Sequence, residues 1–303
     1  MTTAMAGATT ATARNADALQ LLRFRRPGDA RVHVGLHQAG VVHDLGRRYA
    51  GIGAFVDAFP DGWTAASVGI DDAPTVQLAD VELLPPIDAS STLYLVGANY
   101  RQHADEAGLS VPKTPVFFSK PSTALVASGK PIVLPPISQE MDYEGELAVV
   151  IGRHARRVSK AAARHCVAGY TIVNDVTARD LQWVELGKNR IVDWFSSKSL
   201  DDSTQVGPWI APATAAMDPH ALHLTTRLND TVMQDSDTSL MVFSVWDLIE
   251  YASARVTLKP GDVISTGTPY GVGGFRKIFL KDGDRLRVEI EGVGVLDNVV
   301  RAG

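Results

Sequence analysis

Short apolar runs rich in β-branched residues, separated by turn residues, dominate the hydrophobic pattern of this chain. Residues 147–151 form such a run, which Gly152 closes, and residues 171–173 form another. Each run is too short for a helix and is typical of a buried strand. Residues 285–290 instead alternate polar and apolar positions, which predicts a strand with one face in the core. Tight turns are predicted at residues 259–262 and 281–284. The pattern therefore predicts a β-rich α+β fold.

Helices are predicted at residues 52–59, 159–165, 177–186 and 244–253. Ser244 and Asp247 stand where an N-cap and a first-turn acid are expected for the last of these helices. In the N-terminal part, two strand-like runs with a short connection predict a hairpin over residues 31–45. A boundary follows at Pro85 and Pro86. We therefore predict a disordered tail at residues 1–18, a small N-terminal α+β domain at residues 19–88 and a large domain at residues 89–303.

Composition narrows the class of protein. The 303 residues are 45% hydrophobic and 21% charged, as in soluble globular proteins, and the net charge is −5. This negative net charge argues against a protein that binds nucleic acids electrostatically and against a polybasic contact with a membrane. No apolar run approaches the roughly 20 residues of a membrane span, and the start of the chain lacks the apolar core of a signal peptide. A single cysteine, Cys166, excludes an intrachain disulfide framework. We expect a cytoplasmic protein with a small-molecule partner.

Two glutamates at the polar end of the run at 147–151 are the first candidates for chemistry. Glu144 and Glu146 are two residues apart, so along a strand they face the same side and repel each other unless a cation lies between them. Asp175 stands at the polar end of the run at 171–173 and offers a third carboxylate. Three oxygen donors suit Mg²⁺, Mn²⁺ or Ca²⁺ better than Zn²⁺. The alternative is a solvated face with surface ion pairs.

His103 and Glu106 are three residues apart in a segment that predicts a helix, so they lie on one helical face. A carboxylate beside an imidazole orients the ring and raises its basicity, as a general base requires. Lys120 and Lys198 follow aromatic residues and could neutralise a developing oxyanion. The plainer alternatives are a surface ion pair and lysines that extend to solvent. The Gly/Thr-rich residues 264–274 could hold a carboxylate, but their spacing fits no phosphate-binding loop.

Residues 94–300 resemble the fumarylacetoacetate hydrolase family, in particular its acylpyruvase and 2-hydroxyhepta-2,4-diene-1,7-dioate isomerase branch. Six motifs carry the resemblance, in the order that the family has: Gly97-x-Asn99-Tyr100-x-x-His103-x-x-Glu106, Phe118-x-Lys120-Pro121-Ser122, Asp142-Tyr143-Glu144-x-Glu146, Asn174-Asp175-Val176-x-Ala178-Arg179-Asp180-x-Gln182, Lys198-Ser199 and Thr266-Gly267-Thr268-Pro269-x-Gly271-Val272-Gly273. The resemblance implies a mixed β-roll catalytic domain at residues 89–303, behind the small N-terminal domain, and a homodimer.

The resemblance also implies roles for particular residues. Glu144, Glu146 and Asp175 are implied to be ligands of Mg²⁺ or Mn²⁺, with Ca²⁺ as an alternative. His103 and Glu106 are implied to be a water-activating pair, and Lys198 a catalytic lysine. Substrate contacts are implied for Gln182, Gly267 and Thr268. The residues that select the variable group of the substrate are expected in the segment over the site and in the N-terminal unit.

The implied reaction is metal-dependent hydrolysis of a C–C bond in a 2,4-dioxo acid, such as an acylpyruvate or fumarylpyruvate. Without a water step, the same site would support decarboxylation or isomerisation of 2-oxo or 2-hydroxydienoate diacids in aromatic or sugar-acid breakdown. The intact His-x-x-Glu pair favours hydrolysis. A non-catalytic metal- or ligand-binding relative is the alternative from another class, and the six intact motifs argue against it.

Overall fold

The structure, a computed structural model, describes residues 18–46, 48–108 and 110–303. Within those residues the chain forms 21 strands and seven α-helices. The strands are β1 (Gln20–Arg25), β2 (His33–Gln38), β3 (Val41–Asp44), β4 (Thr75–Gln77), β5 (Glu82–Leu84), β6 (Leu93–Gly97), β7 (Val116–Lys120), β8 (Leu125–Ala127), β9 (Ile132–Leu134), β10 (Met141–Asp142), β11 (Gly145–Ile151), β12 (Val167–Asn174), β13 (Thr177–Ala178), β14 (Trp183–Leu186), β15 (Asn189–Val192), β16 (Thr204–Pro212), β17 (His223–Leu228), β18 (Thr231–Asp237), β19 (Val263–Ser265), β20 (Arg285–Ile290) and β21 (Gly294–Ala302).

The helices are short. They are α1 (Ile52–Ala58), α2 (Ala65–Val68), α3 (Arg101–Glu106), α4 (Lys160–Ala163), α5 (Trp194–Lys198), α6 (Val245–Ser253) and α7 (Gly273–Arg276). No helix in the described ranges is both long enough and apolar enough to cross a membrane. The predicted β-rich α+β fold is confirmed. The predicted tail at residues 1–18 lies outside the described residues, apart from its last residue.

Strands β11 and β12 form the centre of a large mixed sheet. Among the described residues this sheet has 12 strands, and its main path runs β4-β3-β2-β1-β16-β12-β11-β19-β6-β7. A second sheet of five strands runs β18-β17-β20-β21-β9, and two small sheets pair β10 with β13 and β14 with β15. Every residue of β11 and β12 is buried. Because successive side chains of a strand point to opposite faces, both faces of the central sheet must be covered.

The two faces of the central sheet belong to two different cores. Leu147 and Val149 pack in a core that includes the apolar residues of α6. Ala148 and Val150 face a second core that includes Leu21 and other residues of the N-terminal segment. Strand β1 also joins β16, where Leu21 pairs with Ile210. The N-terminal segment therefore shares a sheet and a core with the rest of the chain, and its description as a separate domain at residues 19–88 stays a prediction.

Most of the predicted local elements occur. The hairpin of β2 and β3 and the helices α1 and α6 are confirmed, and the helix predicted at 159–165 is α4 followed by a short 3-10 turn at Arg164–Cys166. The helix predicted at 177–186 is wrong. Thr177 and Ala178 pair with β10, and Gly187, at φ +64°, allows the turn between β14 and β15. Here strand pairing outweighs the helix propensity of the intervening residues.

The first turn of α6 offers a test of local stability. The Ser244 hydroxyl accepts from the Asp247 N–H (3.3 Å), and the Asp247 carboxylate accepts from the Ser244 N–H (3.0 Å). We expect Ser244→Ala to lower the free energy of unfolding by about 1 kcal/mol, because it removes this cap. Ser159 begins α4 without a side-chain capping bond, so Ser159→Ala is the matched control. Urea unfolding of both variants checks this, and equal losses would contradict a special capping role.

Candidate metal centre and active site

Three buried carboxylates, which we call the acidic trio, meet at the polar end of β11 and β12. Glu146 lies within β11, Glu144 directly precedes that strand, and Asp175 directly follows β12. The antiparallel pairing sets Glu146 opposite Val173, and the Asp175 N–H donates to the Glu144 carbonyl oxygen over 2.8 Å. One carboxylate oxygen of each acid lies within 4.8 Å of the other two, and each acid is at most 5% exposed. Sheet pairing thus collects acids that are distant in sequence.

Two buried lysines contact the trio. Lys198 Nζ, in α5, donates to Glu144 Oε2 over 2.9 Å and also to Asp175 Oδ2. Lys120 Nζ, at the end of β7, lies 2.6 Å from Asp175 Oδ1. Lys120 Nζ also donates to the Val176 carbonyl oxygen and to the Thr204 hydroxyl. Both carboxylate oxygens of Asp175 thus lie against a lysine ammonium, Oδ1 against Lys120 and Oδ2 against Lys198.

Arg179 connects the trio to a fourth buried acid, Asp142. One guanidinium nitrogen lies 2.7 Å from Asp142 Oδ2 and also donates to Glu144 Oε1. The Gly273 N–H donates to the other Asp142 oxygen over 2.6 Å. A side chain at Gly273 would place its Cβ 1.9 Å from the Ile278 carbonyl oxygen, so this close approach requires glycine. The glycine-rich loop of residues 264–274 therefore fixes Asp142, which in turn holds Arg179 against Glu144.

Glu146 differs from the other two acids of the trio in its partners. Its Oε2 accepts from the Ser265 hydroxyl and from the Gly267 N–H, the latter over 3.0 Å. Across the part of the chain that the structure describes, no lysine or arginine nitrogen lies within 4.0 Å of its carboxylate. Burial, together with the charges of Asp175 and Glu144, raises the pKa of Glu146 well above its usual range. Glu146 is thus a buried acid whose ionised form lacks a direct cationic partner.

The trio fits a hard divalent cation. Burial by itself would raise the pKa of Glu144, but the charges of Lys198 and Arg179 outweigh it and lower that pKa. The two glutamates therefore differ in which charge state the protein favours. A divalent cation would favour the ionised form of Glu146, for which the Ser265 hydroxyl and the more distant Lys198 charge do not compensate. Because all three donors are carboxylate oxygens, Mg²⁺, Mn²⁺ and Ca²⁺ suit the site.

His103 and Glu106 lie on α3, as the sequence predicts. His103 Nδ1 is 3.8 Å from Glu106 Oε2, which is longer than a hydrogen bond, and the Gly271 N–H donates to Glu106 Oε2 over 3.0 Å. Burial alone would raise the pKa of Glu106, but the neighbouring His103 and the Gly271 N–H lower it. Glu106 is therefore a carboxylate held beside an imidazole, and the buried His103 Nδ1 has no hydrogen-bond partner among the described residues.

One cavity of about 670 Å³ joins these groups. Its lining includes seven of the nine residues that the sequence singled out: His103, Glu144, Glu146, Asp175, Gln182, Lys198 and Thr268. The other two adjoin residues of the lining, because the Gly267 N–H donates to Glu146 and Glu106 Oε2 lies 3.8 Å from His103 Nδ1. The structure thus brings all nine residues together around one space.

The hairpin of β14 and β15 forms a part of the cavity wall that the sequence did not reveal. Trp183, Arg190 and Val192 line the cavity, with Trp194 from the start of α5. No described residue of 19–88 lines it, so the expectation that the N-terminal unit reaches the substrate is wrong for this cavity. A usable signal was present, because Trp183–Leu186 and Asn189–Val192 are two short strand-like runs around a glycine turn.

Comparisons with known proteins identify a family for this chain. The family model of the fumarylacetoacetate (FAA) hydrolase C-terminal region matches residues 92–301. The mitochondrial oxaloacetate tautomerase FAHD2A of Bos taurus is 39% identical over 291 residues, which cover 93% of this chain and 91% of that protein.

Two solved structures are similar over nearly the whole chain. The 5-carboxymethyl-2-hydroxymuconate delta-isomerase of Mycobacterium smegmatis is 34% identical with a TM-score of 0.74, covering 94% of this chain and 100% of that one. The maleylpyruvate hydrolase of Sphingobium sp. SYK-6, solved with manganese(II) and pyruvate, is 28% identical with a TM-score of 0.76 and the same coverage.

The matched range includes α3, the acidic trio, Lys198 and the glycine-rich loop that holds Asp142. It covers well over half of the chain, and the similarity to the bovine tautomerase extends over the N-terminal segment as well. This chain therefore belongs to the fumarylacetoacetate hydrolase family.

Proposed function

We propose that this protein is a metal-dependent enzyme that hydrolyses a C–C bond in 2,4-dioxo acids of the acylpyruvate or fumarylpyruvate type. The observation that carries this proposal is a single cavity in which a buried trio of carboxylates faces an imidazole–carboxylate pair. Similar proteins include a hydrolase, an isomerase and a tautomerase, so family membership alone does not select the reaction. We assign this catalytic role to residues 89–303.

Glu144, Glu146 and Asp175 would hold the metal, which we propose to be Mg²⁺ or Mn²⁺, with Ca²⁺ as the alternative. The similarity to a hydrolase solved with manganese(II) and pyruvate supports Mn²⁺ and a 2-oxo acid. When bound, such a cation supplies Lewis-acid polarisation of the oxygens of a 2-oxo acid. Lys198, which touches both Glu144 and Asp175, would place a second positive charge where an enolate develops.

His103 would act as the general base. Its imidazole takes a proton from a water molecule, whose oxygen forms a bond to the C4 carbonyl of the substrate. The C3–C4 bond then breaks, its electron pair remains on the pyruvate half as an enolate, and C3 finally takes up a proton. Glu106 would orient the imidazole and stabilise its charged form. The 3.8 Å separation of the pair suits this role, because such contacts often tighten only when substrate binds.

Three further residues would contact the substrate. Gln182 and Thr268 line the cavity, and the Gly267 N–H holds Glu146. Thr268 is itself fixed, since its hydroxyl donates to the Gly145 carbonyl oxygen over 3.0 Å and accepts from Gln234 over 2.8 Å. Its one O–H proton is thus donated to Gly145, so Thr268 would contact the substrate as a fixed part of the cavity wall.

A second candidate reaction is tautomerisation, isomerisation or decarboxylation of a 2-oxo diacid. The 39% identity to an oxaloacetate tautomerase over 93% of this chain favours it. In tautomerisation or isomerisation His103 would move a proton on the substrate, and in none of the three reactions would water add. Either reaction would fit a place in aromatic or sugar-acid breakdown, where ring cleavage and dehydration yield 2-oxo acids.

Assembly and location are also proposals. We propose a homodimer, which light scattering coupled to size-exclusion chromatography would show as twice the chain mass. A cytoplasmic location stays a prediction, and the similar bovine protein is named as mitochondrial.

The test of function is turnover by metal-stripped protein before and after addition of Mg²⁺ or Mn²⁺. Acetylpyruvate, fumarylpyruvate and oxaloacetate are the substrates, and NMR identifies the products. Metal-dependent formation of pyruvate plus a carboxylic acid from a dioxo acid is the expected result. Conversion of oxaloacetate alone would instead establish the second candidate. Metal binding without turnover of any of the three substrates would contradict the acylpyruvate and fumarylpyruvate assignment and point to a sugar-acid or other specialised substrate.

Replacing His103 separates hydrolysis from decarboxylation. We expect His103→Ala to lower kcat for dioxo-acid hydrolysis by about 10²- to 10⁴-fold, the usual contribution of a positioned general base. His154→Ala, at an exposed position, is the matched control and is expected to leave turnover unchanged. Metal-dependent decarboxylation of oxaloacetate needs no activated water and is expected to lose less. An equal loss of both activities would contradict the assignment of His103 to water activation.

A further inference from the structure

The hairpin of β14 and β15 presents a cation to the active-site cavity. Trp183 pairs with Val192 and Glu185 with Arg190, so these four side chains lie on one face of the hairpin. Trp183, Arg190 and Val192 line the cavity, whereas apolar side chains of the opposite face point outwards, as Ile191 does with 52% of its surface exposed. Simple amphipathic packing would place the arginine outside and the isoleucine inside. Trp183 and Arg190 line the cavity yet remain exposed, so an entering ligand can reach this face.

Arg190 is held in place above an aromatic ring. Its Cζ lies 4.1 Å from the ring centroid of Trp183, and this stacking orients the guanidinium while its edge N–H groups stay able to donate. Glu185 is its cross-strand neighbour, yet no carboxylate oxygen in the described ranges lies within 4.0 Å of Arg190. The guanidinium therefore faces the cavity without an anionic partner.

The cations deeper in the cavity are already paired. Lys198 and Arg179 each contact two buried carboxylates. Among the described residues of the cavity wall, the one further lysine or arginine besides Arg190 without a carboxylate within 4.0 Å is Lys277, which is exposed at the end of α7. Outside the trio, the described wall has one carboxylate, that of Glu140. An oriented guanidinium matches a carboxylate through two parallel hydrogen bonds, which a lysine cannot form. Arg190 is thus the best-placed group for a second substrate anion.

We propose that Arg190 binds a carboxylate at the far end of the substrate, so that the site prefers 2,4-dioxo diacids to acylpyruvates with a neutral end. This rests on the proposed function, in which the trio holds the 2-oxo acid end. The cavity of about 670 Å³ falls within the roughly 300–1,000 Å³ of pockets for drug-sized ligands. It therefore has room for a substrate longer than a four-carbon acid.

The first experiment compares fumarylpyruvate with crotonylpyruvate, in which a methyl group replaces the terminal carboxylate. The wild-type enzyme, loaded with Mn²⁺, is expected to favour fumarylpyruvate in kcat/KM by about tenfold or more, since a charge-assisted hydrogen-bond pair is lost with the methyl analogue. Arg190→Met is expected to bring this ratio close to one, and Arg190→Lys to an intermediate value. Lys188→Met, on the exposed turn of the same hairpin, is expected to keep the wild-type ratio. A ratio that does not change in Arg190→Met would overturn the proposal.

The second experiment measures binding alone, by calorimetry on the Mn²⁺-loaded protein. 2-Oxoadipate and 2-oxohexanoate also differ only by a carboxylate in place of a methyl group, and neither has a 4-carbonyl to hydrolyse. We expect tighter binding of 2-oxoadipate by about tenfold or more, and loss of this preference in Arg190→Met but not in Lys188→Met. That result without any turnover of dioxo acids would support the carboxylate site and refute the hydrolase. Turnover of dioxo acids with equal binding of the two probes would support the hydrolase and refute the carboxylate site at Arg190.

Discussion

In the metal-free protein at neutral pH, Glu146→Gln is expected to raise the free energy of unfolding, and Glu144→Gln is expected to lower it. Glu146 is buried without a cationic partner among the described residues, so a neutral amide relieves about 1–3 kcal/mol of unfavourable burial. Its carbonyl oxygen can still accept from Ser265 and Gly267. Glu144 instead contacts Lys198 and Arg179. Its replacement leaves each of these two buried cations with one carboxylate fewer, which is expected to lower the free energy of unfolding by about 3 kcal/mol.

The dependence of stability on pH has opposite signs for these two acids. The pKa of Glu146 is raised in the folded state, so the folded protein binds the proton more tightly than the unfolded chain. Its contribution to stability is present below the unfolded pKa and declines as the pH rises through the folded pKa. The pKa of Glu144 is lowered, so its contribution is present above the unfolded pKa and is lost in acid.

Urea unfolding in the presence of a chelator, from about pH 3 to about pH 8, measures both effects, because the Glu144 contribution changes only below the unfolded pKa of about 4.3. Each variant is also expected to lose the stabilisation that Mn²⁺ gives the wild-type protein, because each removes a proposed ligand. Destabilisation of the metal-free protein by Glu146→Gln would contradict the assignment of an unpaired buried charge at this position.

Lys198→Met is expected to lower the free energy of unfolding of the metal-free protein by about 3–5 kcal/mol, the usual cost of removing one partner from a buried ionic cluster. The Lys198 ammonium touches Glu144 and Asp175, and both are buried. Without it, two carboxylates that repel each other lose the cation that lies between them. Turnover is also expected to fall, because the same ammonium is proposed to stabilise the enolate.

Urea unfolding with a chelator and with Mn²⁺ checks this prediction. The metal is expected to restore a larger part of the stability in Lys198→Met than it adds to the wild-type protein, since it replaces a missing positive charge at the trio. Lys113→Met removes an exposed lysine and is the control, with an expected change within about 0.5 kcal/mol. Equal stability of the wild-type protein and Lys198→Met in the chelator would contradict the structural part of this role.

The failed helix prediction at residues 177–186 shows where residue patterns become insufficient. The residue types between Ala178 and Leu186 are compatible with a helix, and nothing local forbids it. Pairing of Thr177 and Ala178 with β10, and of Trp183–Leu186 with β15, decides the structure instead. By contrast, α6 has a capping Ser244 and an amphipathic pattern, so its prediction needed only neighbouring residues.

The sequence by itself determined the features that depend on residues close together in the chain. These are the strand of Glu146, the helical face shared by His103 and Glu106, the hairpin of β2 and β3, and the motifs that identify the family. Spacing along a strand or a helix sets which side chains share a face, so these features follow from local geometry.

Only the tertiary structure decided which distant residues meet. It brings Lys198 between Glu144 and Asp175, holds Arg179 against Asp142 through the close approach of Gly273, leaves Glu146 without a cation among the described residues, and turns Arg190 into the cavity. Such contacts depend on strand order, register and packing between segments far apart in the chain, and local spacing carries no information about them. Charge balance within the buried site is therefore a property of the fold.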